Sequence, residues 1–257
     1  MTPNEVDPNE VDPNEVHPRA AEIAQALAEV RARMSSACAA AGRDPADVRL
    51  LAVTKTFPAT DVVHLLDLGC TELAEAREQE ATGKVAEVAR LRPAAAPRWT
   101  LLGRLQRNKT RAVCRWASAV QSVDSPRLLD ALSRATGNAL EAGERTAPLE
   151  VLLQLSLDAD PDRGGCPEAD IDALADRAAG AEHLVLRGLM AVAPRSAAAD
   201  QAFARLATVA DRVRTAHPGA VELSAGMSGD LEAAVRQGST CVRVGTALLG
   251  PRPLASP

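Results

Sequence analysis

Lys55 closes the run Leu50-Leu51-Ala52-Val53-Thr54 and is followed at once by Thr56, Phe57 and Pro58. A short apolar run bounded by charge and proline reads as a buried strand. The lysine stem is then buried at the strand's last position, with its amine at the rim of whatever the strand crosses. Partial desolvation lowers an amine's pKa, and a lysine so placed becomes a nucleophile for carbonyl compounds at neutral pH. Taken alone, the residue also fits the commoner case of a lysine that snorkels from a strand end into water.

Two stretches change that balance. Ser224-Ala225-Gly226-Met227-Ser228-Gly229-Asp230 and Gly245-Thr246 each follow an apolar strand candidate. Small and hydroxyl residues that open a helix present free N–H groups suited to an anion, although ordinary tight turns with a Ser228 cap have the same composition. An amine beside a phosphate cradle suits a phosphorylated aldehyde. Pyridoxal phosphate fits, with Lys55 as the Schiff base and Ser224, Gly226, Ser228, Gly245 and Thr246 around the phosphate; a phosphosugar aldolase uses the same two parts. Arg243 lies inside the apolar Cys241-Val242-Arg243-Val244, where an unpaired charge is costly. It either pairs with a nearby carboxylate or faces a ligand. Because arginine hardly gives up its proton, a pyridine nitrogen bonded to it stays unprotonated and the ring is a poor electron sink.

General acids and bases are scarce. His17, His64, His183 and His217 fall in the N-terminal segment, in helices or just before a strand, and tyrosine is absent. Glu75, ending the second strand candidate, is the best carboxylate, or else a first-turn charge favouring a helix dipole. Asp158 and Asp160 read as turn formers. Arg163-Gly164-Gly165 continues their loop, and Asn108 and Lys109 enter a helix.

The elements that must position these residues alternate. Strand candidates are 49–55, 71–74, 98–102, 119–123, 149–156, 184–192, 220–224 and 241–244. Helix candidates between them are 59–68, 75–91, 107–117, 125–142, 167–179, 198–215 and 229–237, with Pro126 and Pro167 in first turns and Ser125 or Asp124 as caps. This is the tally of an α/β fold, a (β/α)8 TIM-type barrel, whose sites lie at the C-terminal strand ends with phosphate held after strands 7 and 8. A doubly wound sheet would want a glycine-rich first turn, which Lys55-Thr56-Phe57-Pro58 is not. An extra helix precedes the barrel, from Arg19 to Ala41, with Ile23, Leu27, Val30, Met34 and Cys38 forming one stripe. Before it, residues 1–18 repeat Pro-Asn-Glu-Val-Asp; a proline every fifth residue forbids helix, so this is a disordered acidic tail, and 19–257 form one domain.

Composition excludes several classes. The net charge of -5 is set by Glu5, Asp7, Glu10, Asp12 and Glu15, so the folded part is near neutral and favours neither nucleic acid nor an anionic membrane. Five cysteines without a close pair indicate no disulfide framework and no metal site. Without a leader or an apolar run of spanning length, the reading is a soluble cytoplasmic protein.

With these residues assembled, the chain resembles the pyridoxal phosphate homeostasis protein family, single-domain relatives of the N-terminal barrel of alanine racemase. The resemblance rests on Leu51 to Lys55 followed by Pro58, on Gly103 to Lys109, on Arg187 to Ala191, on Ser224 to Asp230, and on Gly238-Ser239-Thr240 with Val242 to Thr246. It implies that Lys55 is the Schiff-base lysine and that Arg243 is the partner of the pyridine nitrogen. The phosphate falls to Ser224, Gly226, Met227, Ser228, Gly245 and Thr246. It implies a monomeric cofactor carrier and regulator, with apo-enzymes as recipients and no catalytic residue; the alternative is a small racemase or aldolase, against which the missing tyrosine speaks. The family's Gly-Glu-Asn after strand 2 is here Ala74-Glu75-Ala76, and its Trp-His is Trp99-Thr100. Each polar contact so lost is worth about 0.5–1.5 kcal/mol, which implies either weaker cofactor affinity than the family norm or a site that has drifted to another aldehyde.

Overall fold

The structure, a computed structural model, describes residues 17–158, 160, 163–194 and 198–251. The expected acidic tail therefore lies outside the described residues, except for its last two positions. Helix α1 (Pro18–Ala40) buries Ile23, Leu27, Val30, Met34 and Cys38, the stripe expected from their spacing. It is followed by β1 (Arg49–Val53), α2 (Ala59–Asp67), β2 (Glu72–Glu75), α3 (Glu78–Leu91), β3 (Arg98–Leu101), α4 (Thr110–Trp116), β4 (Ala119–Val123) and α5 (Pro126–Glu141). The second half comprises β5 (Leu149–Gln154), α6 (Ile171–Ala179), β6 (Leu184–Met190), α7 (Ala199–Ala216), β7 (Glu222–Ser224), α8 (Leu231–Arg236), β8 (Cys241–Val244) and α9 (Thr246–Leu249). The eight strands pair in parallel in chain order, and β8 returns to β1. The fold is thus the TIM-type barrel expected from the alternation.

The period of two in the strands divides the apolar residues between two layers. Ala52, Val242 and Val244 point outward into the layer shared with α1 and α2, whereas Leu51, Val53, Ala74 and Cys241 fill the barrel interior. The ring of helices is apolar toward the strands and arginine-rich outside, so leucine, valine and alanine suffice to fill the space between. Helix α1 is fastened beside the closing strands by Arg19, which donates to Asp61 in α2 at 2.6 Å and to the Leu249 carbonyl at 2.9 Å.

The N-terminal barrel mouth is closed by charge. Arg49 on β1 bridges Glu72 on β2 (2.9 Å) and Glu222 on β7 (2.6 Å), Arg98 on β3 reaches Glu72 at 3.2 Å, and Arg187 on β6 reaches Glu222 at 3.4 Å. Residues alternating inward at the strand starts form this ring. It leaves the opposite mouth for chemistry, as in other barrels of this kind.

Several element ends differ from expectation. Glu75 stays in β2 and α3 begins only at Glu78, because the Glu75 carbonyl accepts from Leu102 N at 2.8 Å and its side chain is drawn inward. Strand β1 stops at Val53, since the chain turns through Thr56 at φ +70°. The expected helices 107–117 and 167–179 open with tighter 3-10 turns at Arg107–Lys109 and Glu168–Asp170. Ser125 precedes α5 without a side-chain cap, and Asp124 accepts instead from Gly165 N.

Gly188 in β6 shows how closely the strands approach. It has φ +149°, and a Cβ there would lie 1.9 Å from the Glu222 carbonyl oxygen on β7. Neighbouring backbone cannot yield as a flexible side chain does. Gly188→Ala is therefore expected to cost about 1–3 kcal/mol, read as a lower urea midpoint with an unchanged slope.

Candidate functional site

Barrel closure brings the chemistry-bearing residues together. Strand β8 pairs on one side with β1, Leu51 opposite Arg243 and Ala52 opposite Val244, and on the other with β7, Ser224 opposite Cys241. Lys55 just beyond β1, Arg243 within β8, and the loops after β7 and β8 therefore gather at the C-terminal mouth. The loops are tightly set. A Cβ on Gly245 would stand 3.2 Å from the Val53 carbonyl oxygen, so the β8 loop presses on the end of β1. Gly226, at φ +91°, takes a conformation closed to larger residues, since a Cβ would fall 2.6 Å from that of Ala234.

Ser228 does not cap α8. Its Oγ accepts from Ala247 N at 3.2 Å, tying the β7 loop to the β8 loop, while Asp230 Oδ1 accepts from Met227 N at 2.6 Å to hold the turn. A hydroxyl that accepts one bond keeps its own proton for an anion. Thr246 is exposed, Ser228 is half-buried and Met227 is exposed beside it.

Arg243 is buried, and no ion pair with a carboxylate is formed among the described residues. Its Nη1 donates to Ser224 Oγ at 2.8 Å and its Nη2 to the Ala191 carbonyl at 2.8 Å. Ser224 in turn donates to Gln121 Oε1 at 2.6 Å. Its proton is thus committed within the barrel, and its part is to hold the guanidinium rather than to donate to a ligand. Burial pulls the Arg243 pKa down, opposed by the nearby Cys241 and Asp230. A guanidinium nevertheless remains charged at any ordinary pH. A buried cation held only by dipoles is poorly compensated, and an acceptor or anion at the mouth would relieve it.

Glu75 is neither an exposed first-turn charge nor poised at the mouth. It is fully buried, and its Oε1 accepts from Thr54 Oγ1 and from Lys84 Nζ, both at 2.7 Å. Lys84 also donates to the Thr54 carbonyl at 2.8 Å and pairs with Glu80 at 3.2 Å, and Glu80 accepts from Thr56 N. Burial pushes the Glu75 carboxyl up, while its bonds to Lys84 and Thr54 pull it back. Thr54 and Thr56 flank Lys55, so this buried cluster fixes the backbone on both sides of the amine. Sequence reasoning missed Lys84. The i,i+4 pairing with Glu80 was legible, but nothing in a surface-like Glu-x-x-x-Lys marks a buried lysine.

The chain has three lysines, Lys55, Lys84 and Lys109. Lys84 is locked in the cluster, and Lys109 pairs with Glu78 at 3.4 Å beyond the ends of β2 and β3. Lys55 is half-buried just beyond the end of β1. Around the far rim, Arg163 pairs with Asp158 at 3.0 Å and donates to the carbonyls of Val192 and Ala193, clipping the β5 loop to the β6 loop. Ala74 and Thr100 face each other in register between β2 and β3.

The family model for the alanine racemase N-terminal domain matches residues 25–253. The chain is 48% identical over 248 residues to the pyridoxal phosphate homeostasis protein of Mycobacterium tuberculosis, covering 93% of this chain and 96% of that one. Among solved structures, a protein of unknown function from Bifidobacterium adolescentis superimposes with a TM-score of 0.81 at 32% identity, over 95% of this chain and 98% of that one. PipY of Synechococcus elongatus, solved with pyridoxal phosphate bound, superimposes with a TM-score of 0.75 at 34% identity, over 89% of this chain and all of that one.

Proposed function

The chain belongs to the pyridoxal phosphate homeostasis protein family, and from that premise we propose that it binds pyridoxal phosphate through Lys55 as a monomeric cytoplasmic carrier and regulator that supplies apo-enzymes. Among the described residues no helix is long and apolar enough to cross a membrane. The observation that carries this reading is the position of β8 between β7 and β1, which makes neighbours of an amine, a buried guanidinium and two hydroxyl-bearing loops. The donor set fits the cofactor: Lys55 for the aldehyde, Arg243 for the ring nitrogen, and Gly226, Met227, Ser228, Gly245 and Thr246 for the phosphate. Ser224 acts one step back, by aiming Arg243.

When bound, pyridoxal phosphate supplies an electrophilic aldehyde and, if its ring nitrogen is protonated, an electron sink. Arg243 donates hydrogen bonds without releasing a proton, so it binds that nitrogen while withholding the protonated state. The absence of tyrosine also leaves no phenol to move a proton opposite Lys55. Both features favour holding the cofactor over turning over amino acids.

The test is to add pyridoxal phosphate to the purified protein, record its visible spectrum, reduce with borohydride and map the peptides. A band bleached into an adduct on Lys55 is the expected result. An adduct confined to Lys84 or Lys109 refutes the assignment, and multiple-turnover racemisation of L-alanine refutes the carrier. Arg243→Met is expected to weaken affinity about tenfold, or ~1.4 kcal/mol. Its stability should change far less than breaking an ion pair would cost, because a lost buried charge offsets lost hydrogen bonds. Fluorescence titration and urea unfolding of the same variant measure the two quantities separately.

A further inference from the structure

The near-neutral balance of the folded part conceals an uneven distribution. Most arginines of the described structure are paired, as Arg92 is with Asp67, Arg115 with Glu144, Arg177 with Asp130 and Arg236 with Asp200. Arg104, Arg107, Arg111, Arg127 and Arg134 are different. They line one open groove of about 1220 Å³ between the β3–α4 connection and α5, and among the described residues they form no ion pair. Asp124 is the one acidic residue of its lining. Its floor is apolar, made by Leu105, Leu128 and Ala135, all buried. Glu144 and Asp130 act on Arg111 and Arg134 only from beyond ion-pair distance, so the lining keeps an excess of positive charge that suits a polyanion with some apolar content.

The chain carries a segment of matching chemistry. Residues 1–16 place Glu5, Asp7, Glu10, Asp12 and Glu15 around Val6, Val11 and Val16 at a period of five. In an extended chain, successive side chains alternate sides, so Val6 lies opposite Glu5 and Asp7. Because five is an odd spacing, Val6 and Val16 share the side laid on the groove floor and Val11 takes the other, while Glu5, Asp7 and Glu15 turn toward the arginine rims. Pro3, Pro8 and Pro13 favour the extended form before binding, which lowers the entropy lost on docking. The geometry of the ends agrees. His17, where the described structure begins, stacks on His64, and Arg19 reaches Leu249 after β8. The segment thus leaves from the C-terminal mouth, the end at which Arg104 and Asp124 stand beyond β3 and β4. Sixteen extended residues span roughly 50 Å, comparable with the ~45 Å diameter of a globule of this length.

We propose that the groove between the β3–α4 connection and α5 is the docking site of the chain's own acidic segment, residues 1–16. A nucleic acid is the rival polyanion. The groove lining contains no aromatic side chain on which a base would stack, and the repeat offers a valine for the apolar floor where a phosphate backbone offers nothing.

The test uses the full-length chain. A nitroxide on Thr2→Cys can be placed selectively because the five native cysteines are buried. The expected result is broadening of the amide signals of Gln106, Asn108, Arg127 and Asn138, relieved at about 1 M salt, where charges are screened within ~3 Å. Broadening elsewhere, or none, overturns the proposal. A labelled peptide of residues 1–16 supplies the second measurement. It should bind a full-length variant carrying Glu5→Gln, Asp7→Asn, Glu10→Gln, Asp12→Asn and Glu15→Gln about tenfold more tightly than the native chain, whose own segment competes at high effective concentration. Adding Arg107→Ser, Arg127→Ser and Arg134→Ser to that variant should abolish binding. Equal binding by native and neutralised chains overturns the proposal, as does a neutralised chain that takes a short RNA duplex and not the peptide.

Discussion

In Lys55→Ala, added pyridoxal phosphate is expected to give neither a shifted visible band nor a borohydride-stable adduct. The effect should be complete rather than partial because no second side-chain amine can substitute. Lys84 is buried with its ammonium divided between Glu75, Glu80 and the Thr54 carbonyl, and Lys109 is paired with Glu78. An amine whose hydrogen bonds are committed to three acceptors is not presented to a ligand at the mouth. Peptide mapping of the reduced protein decides the matter. A persistent adduct at Lys84 would show that the cluster opens and that Lys55 is dispensable. Weak non-covalent affinity should remain in the variant, because Arg243 and the loops after β7 and β8 are untouched.

Lys84→Met should be the most damaging of the single substitutions for stability. Removing one partner of a buried pair leaves the other charge uncompensated, at a cost of about 3–5 kcal/mol. Glu75 is the group left behind, fully buried with its Oε2 already lacking a hydrogen-bond partner among the described residues. The pH dependence has a definite sign. Burial raises the folded pKa of Glu75 above its unfolded value, with Lys84 opposing that rise. A group raised in this way favours the folded state below the unfolded value, near 4.3, and loses that contribution as pH climbs through the folded value. Without Lys84 the folded value climbs further. The deficit of the variant against the native chain should therefore be smallest near pH 5 and grow toward neutrality, read from urea unfolding at several pH values. Glu75→Gln added to Lys84→Met should restore much of the loss, because it removes the stranded charge. A deficit independent of pH would mean that lost packing of the lysine stem, and not Glu75, accounts for the effect. The same variant should slow capture at Lys55, since the backbone at Thr54 and Thr56 loses its anchor.

The barrel was legible because its signals are local. Apolar runs of strand length alternated with stripes of helical period, and all eight strands and the helices between them lie within a few residues of where those patterns put them. The ends that moved, at Glu75 and Val53, moved for reasons no local pattern carries: a carboxylate drawn to Thr54 and a left-handed turn at Thr56. The parts of the mouth were likewise visible as residue types, an amine after the first strand and small hydroxyl loops after the last two. Their roles were less so. Ser224 and Ser228 look alike in the chain, yet one is sealed between Gln121 and Arg243 and the other bridges two loops from the half-buried rim.

Periodicity and residue type by themselves determined the barrel, its order of elements and the lysine at the end of its first strand, because side-chain pattern and backbone preference act over a few residues. Only the tertiary structure decided which charges meet. Closure of β8 against β1 put Arg243 among dipoles instead of carboxylates, folding of α3 onto β2 buried Lys84 on Glu75, and packing of α5 beside the β3–α4 connection gathered five arginines into one groove. Coulomb energy depends on distance and on burial, and neither quantity exists until segments remote in the chain have come together.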